Sequence, residues 1–134
     1  MGMAGLRAVG AKGYFDVEVI CEGPLAKPPQ SCFLDGLQMG TGATLGKRSL
    51  HWVQADCLVV KVKNVQTGKR AELRPTAALL DLLASFKPRP KVLDQSKADH
   101  KAADEHLEAI ARKIAALPEK DIATIKWADA AASE

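Results

Sequence analysis

The stretch from Leu50 to Arg74 constrains the fold more than any other part of the chain. Its centre, LVVKVK, sets Val60 and Val62 against Lys61 and Lys63, the period of two expected of a strand with one buried and one wet face. Asn64 to Lys69, with Thr67 and Gly68, supplies the chemistry of a hairpin loop, and Arg70 to Arg74 reads as the return strand. Leu50 to Asn64 is thus expected as one strand and Arg70 to Arg74 as its partner. The same alternation over Tyr14 to Ile20, with Phe15, Val17 and Val19 opposite Asp16 and Glu18, predicts a further strand.

Around these strands the apolar period changes to that of a helix. Met3, Leu6 and Val9 precede Gly10 and Gly13, so the chain opens inside a helix. Pro24, Pro28 and Pro29 make Gly23 to Gln30 a semi-rigid loop that delivers the chain to Ser31, a good N-cap for a short helix from Cys32 to Met39. Pro75 and Thr76 open a helix to about Phe86, with Leu79, Leu82 and Leu83 on one stripe. From about Ser96 to Leu117, Ala103, Leu107, Ile110, Ala111, Ile114 and Leu117 form the packing face of a longer helix, which Pro118 stops. Ile122, Ile125 and Trp127 mark a short final element. These periods predict a single α+β domain, a mixed or antiparallel sheet with the helices at Cys32, Thr76 and Ser96 packed on it.

The 134 residues leave room for one domain, against about 150 residues for a typical one. Lys and Arg outnumber Asp and Glu by 19 to 16 and are spread along the chain, so no nucleic-acid partner is expected. Lys87 to Lys91, the densest basic stretch, reads as a solvated connector. The few aromatic residues argue against stacked-base recognition. Cys21, Cys32 and Cys57 are odd in number, with no CxxC pair and no secretory signal, which points to the reducing cytoplasm. No apolar run approaches the roughly 18 residues of a membrane span, so no membrane association is expected.

Candidate chemistry concentrates between Cys32 and His51. The turn from Gly40 to Ser49 lacks the spacing of a phosphate loop, because Thr41 stands where GxxxxGK[ST] needs its first glycine and Arg48 where it needs a hydroxyl. It remains a structural turn or a looser anion-binding one. Cys32 is the thiol of most interest, since the first position of a helix favours thiolate; the competing reading is a small core residue. Cys21 and Cys57 fall on expected strands, where burial would raise their thiol pKa. His100 and His106 lie about 240° apart around a charged helix and cannot share a metal as an HExxH pair does. His51 could approach Cys32 if the glycine turn folds back, or be an exposed strand residue.

The segment PPQSCFLDGLQMGTGATLGKRSL resembles the signature of the FmdE-like family of formylmethanofuran dehydrogenase proteins. There a Cys, an Asp and a Gln on a short helix precede a Thr-Gly-x-Thr-x-Gly-Lys turn. The matching positions are Cys32, Asp35, Gln38, Thr41, Gly42, Thr44, Gly46 and Lys47, and a weaker likeness extends from Met1 to about Trp127. The resemblance implies an α+β domain over residues 1–127 with an Ala-rich tail over 128–134. It further implies an accessory or metal-binding module of a molybdenum or tungsten enzyme of one-carbon metabolism, acting as a homodimer or as part of a larger oxidoreductase. Cys32 would be the metal ligand, with Thr41, Gly42, Thr44, Gly46 and Lys47 shaping the cofactor-binding pocket. Two departures stand out. Relatives carry Phe-His-Gly-His and Cys-Pro-Gly before the helix that here begins at Met1, and many have a Cys where this chain has Ala43. An upstream segment bearing those ligands is therefore expected to be lost or outside this reading frame. Zinc or a similar divalent ion is expected to bind weakly. The alternatives are a stand-alone enzyme with Cys32 as nucleophile and Lys47 as electrostatic stabiliser, and a structural dimer component without a site.

Overall fold

The computed structural model describes residues 1–26, 31–85 and 97–128. The chain forms two compact units, one of Met1–Pro75 with the stretch from Ala123, the other Thr76–Ile122. The first contains α1 (Gly2–Val9), β1 (Val17–Gly23), α2 (Cys32–Thr41), β2 (Leu50–Gln54), β3 (Val59–Asn64), β4 (Arg70–Pro75) and β5 (Ala123–Ala128). Its five strands make one mixed sheet in the order β2-β1-β3-β4-β5. Only the β1–β2 pair is parallel. A parallel pair needs a crossover, and α2 lies in the one that joins β1 to β2.

The alternation seen in the sequence sets the faces of this sheet. Val17, Val19, Cys21, Val60, Val62, Ala71 and Leu73 are buried, each fully buried Val or Leu worth about 1.5–3 kcal/mol over exposure. α1 covers that face through small residues. A Cβ on its Gly5 would come within 2.6 Å of Val62 Cγ2, so glycine lets the helix lie directly on β3 and β4. Buried Asn64 ties the two layers together. Its side-chain amide donates to the carbonyls of Val9 (3.2 Å) and Gly10 (3.4 Å) at the end of α1. Its Oδ1 accepts from the amides of Gln66 and Thr67 in the hairpin loop, so the buried polar group is satisfied on both sides.

Three expectations are corrected. The helix laid on the sheet is α1, and α2 packs on α1 in turn, with Gly2 beside Thr41 and Leu37. Leu50 to Asn64 is two strands. β2 and β3 flank β1 on opposite sides, so the chain must turn over the end of β1, where the Ala55 amide donates to the Gly23 carbonyl (3.1 Å). Cys57 therefore sits exposed in a turn. The first strand begins at Val17 and not at Tyr14. The final element proves to be β5, paired with β4 from Pro75↔Ala123 to Arg70↔Ala128.

The second unit contains α3 (Ala77–Ala84), α4 (Lys97–Ala116) and α5 (Glu119–Ile122), with α3 packed on α4 and α5. Thr76 caps α3 by accepting the Leu79 amide, and its own amide donates to the Ile122 carbonyl (3.0 Å), closing the unit at its base. Of the expected apolar stripes, Leu79 and Ile110 are buried, whereas Leu83 and Leu107 are largely exposed. The end of the Pro-rich loop, the helix end at Phe86, the Lys87 to Lys91 connector and most of the Ala-rich tail lie outside the described residues. Among the described residues no helix is long and apolar enough to cross a membrane.

Candidate functional site

α2 carries Cys32 at its first position and hands the chain to the glycine turn at its last. Cys32 and Asp35 are exposed, Gln38 is half-buried, and Leu37 and Thr41 hold the helix down. Thr41 is committed locally: its hydroxyl donates to the Leu37 carbonyl (2.6 Å) and accepts the Ala43 amide (3.1 Å). Gly42 then ends the helix in the left-handed region (φ 71°), its amide donating to the Gln38 carbonyl. A side chain here would meet Tyr14, with Cδ1 at 2.6 Å and Cα at 2.9 Å from an added Cβ.

The turn folds onto Tyr14 and Phe15. Asp16 gathers the amides of Lys12 and Gly13 at 2.7 Å each. These bonds, that from Lys12 foremost, hold its carboxyl below the usual aspartate value. Tyr14, between these amides and Asp16, has a positive φ of 66°, and its amide donates to the Thr41 carbonyl (2.8 Å). Phe15 consequently leaves the sheet and is 86% exposed, which overturns its expected place beside Val17 and Val19.

Lys47 closes the arrangement. Its ammonium donates to the Tyr14 carbonyl (3.0 Å) and to the Gly42 carbonyl at the C-terminal end of α2. It also lies 5.4 Å from the centroid of the Tyr14 ring and 4.9 Å from that of Phe15. The cation thus faces a helix C-terminus and two rings, all of which favour positive charge. Thr44 organises the rest. Its hydroxyl accepts the Lys47 amide, its amide donates to Ser49 Oγ, and its carbonyl accepts the amides of Ser49 and Leu50. Gly46 is exposed, with open space where a Cβ would stand. Chemically, the turn spends its hydroxyls and its cation on its own backbone and turns Tyr14, Phe15 and Leu45 outward.

Among the described residues no three His, Cys, Asp or Glu side chains gather as a metal ion would require, so Cys32, Asp35 and His51 do not form a ligand set. The Ser49 carbonyl accepts the Val19 amide, and His51 is exposed on β2 opposite Ile20 of β1. Zinc needs three or four ligands, and the described residues of this chain do not fit that need by themselves. Burial pushes the Cys21 thiol up to about 12, matching the expectation for a strand cysteine; exposed Cys57 escapes that burial. Sequence reading missed Tyr14 and Phe15 as the seat of Lys47. The usable signal was Gly13 before two aromatic residues and an Asp, a turn pattern hidden by the alternation that follows it.

A family model described as FmdE, molybdenum formylmethanofuran dehydrogenase operon, matches residues 1–124. No curated protein matches the chain. Among solved structures it is similar to the crystal structure of a tungsten formylmethanofuran dehydrogenase FmdE-like protein from Syntrophus aciditrophicus, with a TM-score of 0.56 and 15% identity. That match covers 94% of this chain and 57% of the other, so this chain spans little more than half the length of its structural neighbour. At that identity the likeness speaks for the fold, but a family model spanning nearly the whole chain speaks for descent, and the protein belongs to the FmdE family.

Proposed function

We propose that the chain is a non-catalytic accessory module that docks onto the subunits of a molybdenum- or tungsten-dependent formylmethanofuran dehydrogenase through the glycine turn and the α2 end that precedes it. One observation carries this reading. The turn's hydroxyls and its lysine are consumed by internal bonds, while Tyr14, Phe15, Met39 and Leu45 are each more than 60% exposed. Large exposed apolar side chains on one turn and the helix end before it characterise docking surfaces more than reaction pockets. The family's association with a dehydrogenase operon supplies the class of partner. A nucleophilic role for Cys32 gains no support, because a nucleophile needs a positioned base. The ligand role that the family resemblance assigns to Cys32 rests on one sulfur, with no partner ligands gathered beside it among the described residues.

The test is co-purification of the full chain with the co-expressed dehydrogenase subunits, read by size-exclusion chromatography. Co-elution at fixed stoichiometry, lost in Phe15→Ser/Leu45→Ser and retained in Cys32→Ser, supports the proposal. Co-elution insensitive to Phe15 and Leu45, or self-association of the chain in place of a complex, refutes it.

A further inference from the structure

β2 is an edge of the sheet, and it lacks the devices that keep an edge from pairing. Beyond it no further strand lies among the described residues. Its five residues, Leu50–Gln54, include no Asp, Glu, Lys, Arg or Pro. Their register with β1 runs unbroken from Val19↔Leu50 to Gly23↔Gln54, without a bulge. Charges, prolines and bulges are what proteins use to blunt a free edge. β5, the opposite edge, carries Lys126, and its Trp127 side chain donates to the Ala8 carbonyl of α1 (3.3 Å). β2 instead is exposed at every position after Leu50, Trp52 and Val53 among them.

The ladder with β1 fixes which backbone groups of β2 point away. The Val19 amide donates to the Ser49 carbonyl, and the Ala55 amide to the Gly23 carbonyl. Bonding residues alternate along a parallel ladder, so Ser49, His51, Val53 and Ala55 serve β1 while Leu50, Trp52 and Gln54 turn their backbone groups to the open edge. The Leu50 amide is already taken by the Thr44 carbonyl (3.1 Å). What remains is the Leu50 carbonyl and both groups of Trp52 and of Gln54. That set is self-complementary. With an antiparallel copy placed so that Trp52 faces Trp52, the two tryptophans exchange both bonds, and each Gln54 amide meets the other copy's Leu50 carbonyl. Trp52 is the middle residue of the strand, so this register overlaps the two strands over their whole length. A charged strand would oppose its own charges about such an axis, and β2 has none to oppose. The two Trp52 side chains then stand side by side on one face, a favourable cross-strand aromatic pair.

From the unguarded edge, the outward backbone groups and their symmetry about Trp52, we infer that β2 is the surface through which two copies of this chain pair, joining their sheets into one across a two-fold axis at Trp52. The ladder uses β2 alone. It is therefore independent of the docking role proposed for the glycine turn, and a paired chain that co-elutes with the dehydrogenase subunits meets both readings.

The experiment is sedimentation equilibrium of the full chain over a series of concentrations, with a cross-link to fix the register. The chain should form a dimer, and Trp52→Lys, which sets two cations against each other on the axis, should weaken it at least about tenfold. Gln54→Pro gives a second reading should that variant fold poorly. It removes an amide that points outward and leaves the Val53 and Ala55 bonds to β1 in place, so it should weaken the dimer without loosening the sheet. Val65→Lys, at an exposed valine of the hairpin loop, adds the same charge elsewhere and should change nothing, nor should Phe15→Ser/Leu45→Ser. About Trp52, His51 of one copy faces Val53 of the other as a non-hydrogen-bonded pair with about 4.5 Å between Cα atoms, within disulfide reach. His51→Cys/Val53→Cys, in a chain also carrying Cys32→Ser and Cys57→Ser, should therefore link into dimers through 51 and 53 under oxidised glutathione. A chain that is monomeric throughout overturns the inference. So does a dimer that survives both Trp52→Lys and Gln54→Pro or fails to form the 51–53 link. A monomer whose Trp52 and Gln54 amides gain hydrogen-exchange protection only beside the dehydrogenase subunits also overturns it, giving the edge to them.

Discussion

Gly42→Ala isolates what the glycine turn needs from its backbone. Gly42 sits at φ 71°, so any side chain costs about 1–2 kcal/mol for the left-handed conformation. The methyl group would also stand 2.6 Å from Tyr14 Cδ1 and 2.9 Å from Tyr14 Cα. The ring can rotate away, but the Cα cannot move without disturbing the bond from the Tyr14 amide to the Thr41 carbonyl. Overpacking against such a neighbour adds about 1–3 kcal/mol, for a total of about 2–5. Gly10 provides the comparison. Its φ is 65°, and nothing lies within 4 Å of an added Cβ, so Gly10→Ala should cost the conformational part alone, about 1–2 kcal/mol. Urea unfolding followed by the fluorescence of Trp52 and Trp127, which lie on β2 and β5, reads both variants on the same sheet. The reasoning fails if Gly42→Ala destabilises no more than Gly10→Ala.

Three further outcomes follow from the same contacts. Lys47→Met should destabilise the sheet unit by about 1–2 kcal/mol in the same assay, since an exposed cation facing two carbonyls and two rings is partly screened; an unchanged midpoint would deny the lysine its structural role. Cys21 keeps its proton in the folded chain up to about pH 12, against 9.0 for the ordinary thiol. Over that interval the folded state holds the extra proton, so stability should fall as pH rises, and Cys21→Val should remove that part of the slope in alkaline urea titrations. Zinc, titrated calorimetrically beside a Cys32→Ser control, should bind weakly or not at all, because one thiolate without gathered partners leaves the ion largely hydrated; tight stoichiometric uptake abolished in the control would contradict this.

Most of the fold was legible because its strongest elements carry a single period. Val60, Val62, Ala71 and Leu73 are buried where the hairpin alternation put them, and Gly10, Gly42 and Gly68 all take the left-handed conformation that their positions at helix and turn ends suggested. What escaped the sequence was partnership. Alternation says which face of a strand is buried and nothing about which strand lies beside it, so a chain that doubles back at Ala55 reads like one long strand. Nor does spacing tell which helix will cover the sheet. α1 was legible as a helix, but its role depends on the close approach of Gly5 to Val62, a contact between residues 57 positions apart.

At the candidate site the difficulty was different, because the residues were identified while their allegiance was not. A lysine after glycines invites an anion, and the resemblance enlisted Lys47 in a pocket. Yet a lysine side chain has three donors and will satisfy them at the nearest oxygens. Here those are the carbonyls of Gly42 and of Tyr14, a residue held at positive φ. That φ depends in turn on Asp16, whose carboxylate holds the Lys12 and Gly13 amides and whose place in an alternating run disguised it as a solvent-facing strand residue. The consequence is a chain of dependence from Asp16 through Tyr14 to Lys47. Asp16→Asn weakens its first link and should therefore loosen the turn as well as the segment before β1, an effect visible as faster hydrogen exchange at the Tyr14 and Lys47 amides together. Faster exchange at Tyr14 with Lys47 unchanged would mean that the turn holds its shape unaided.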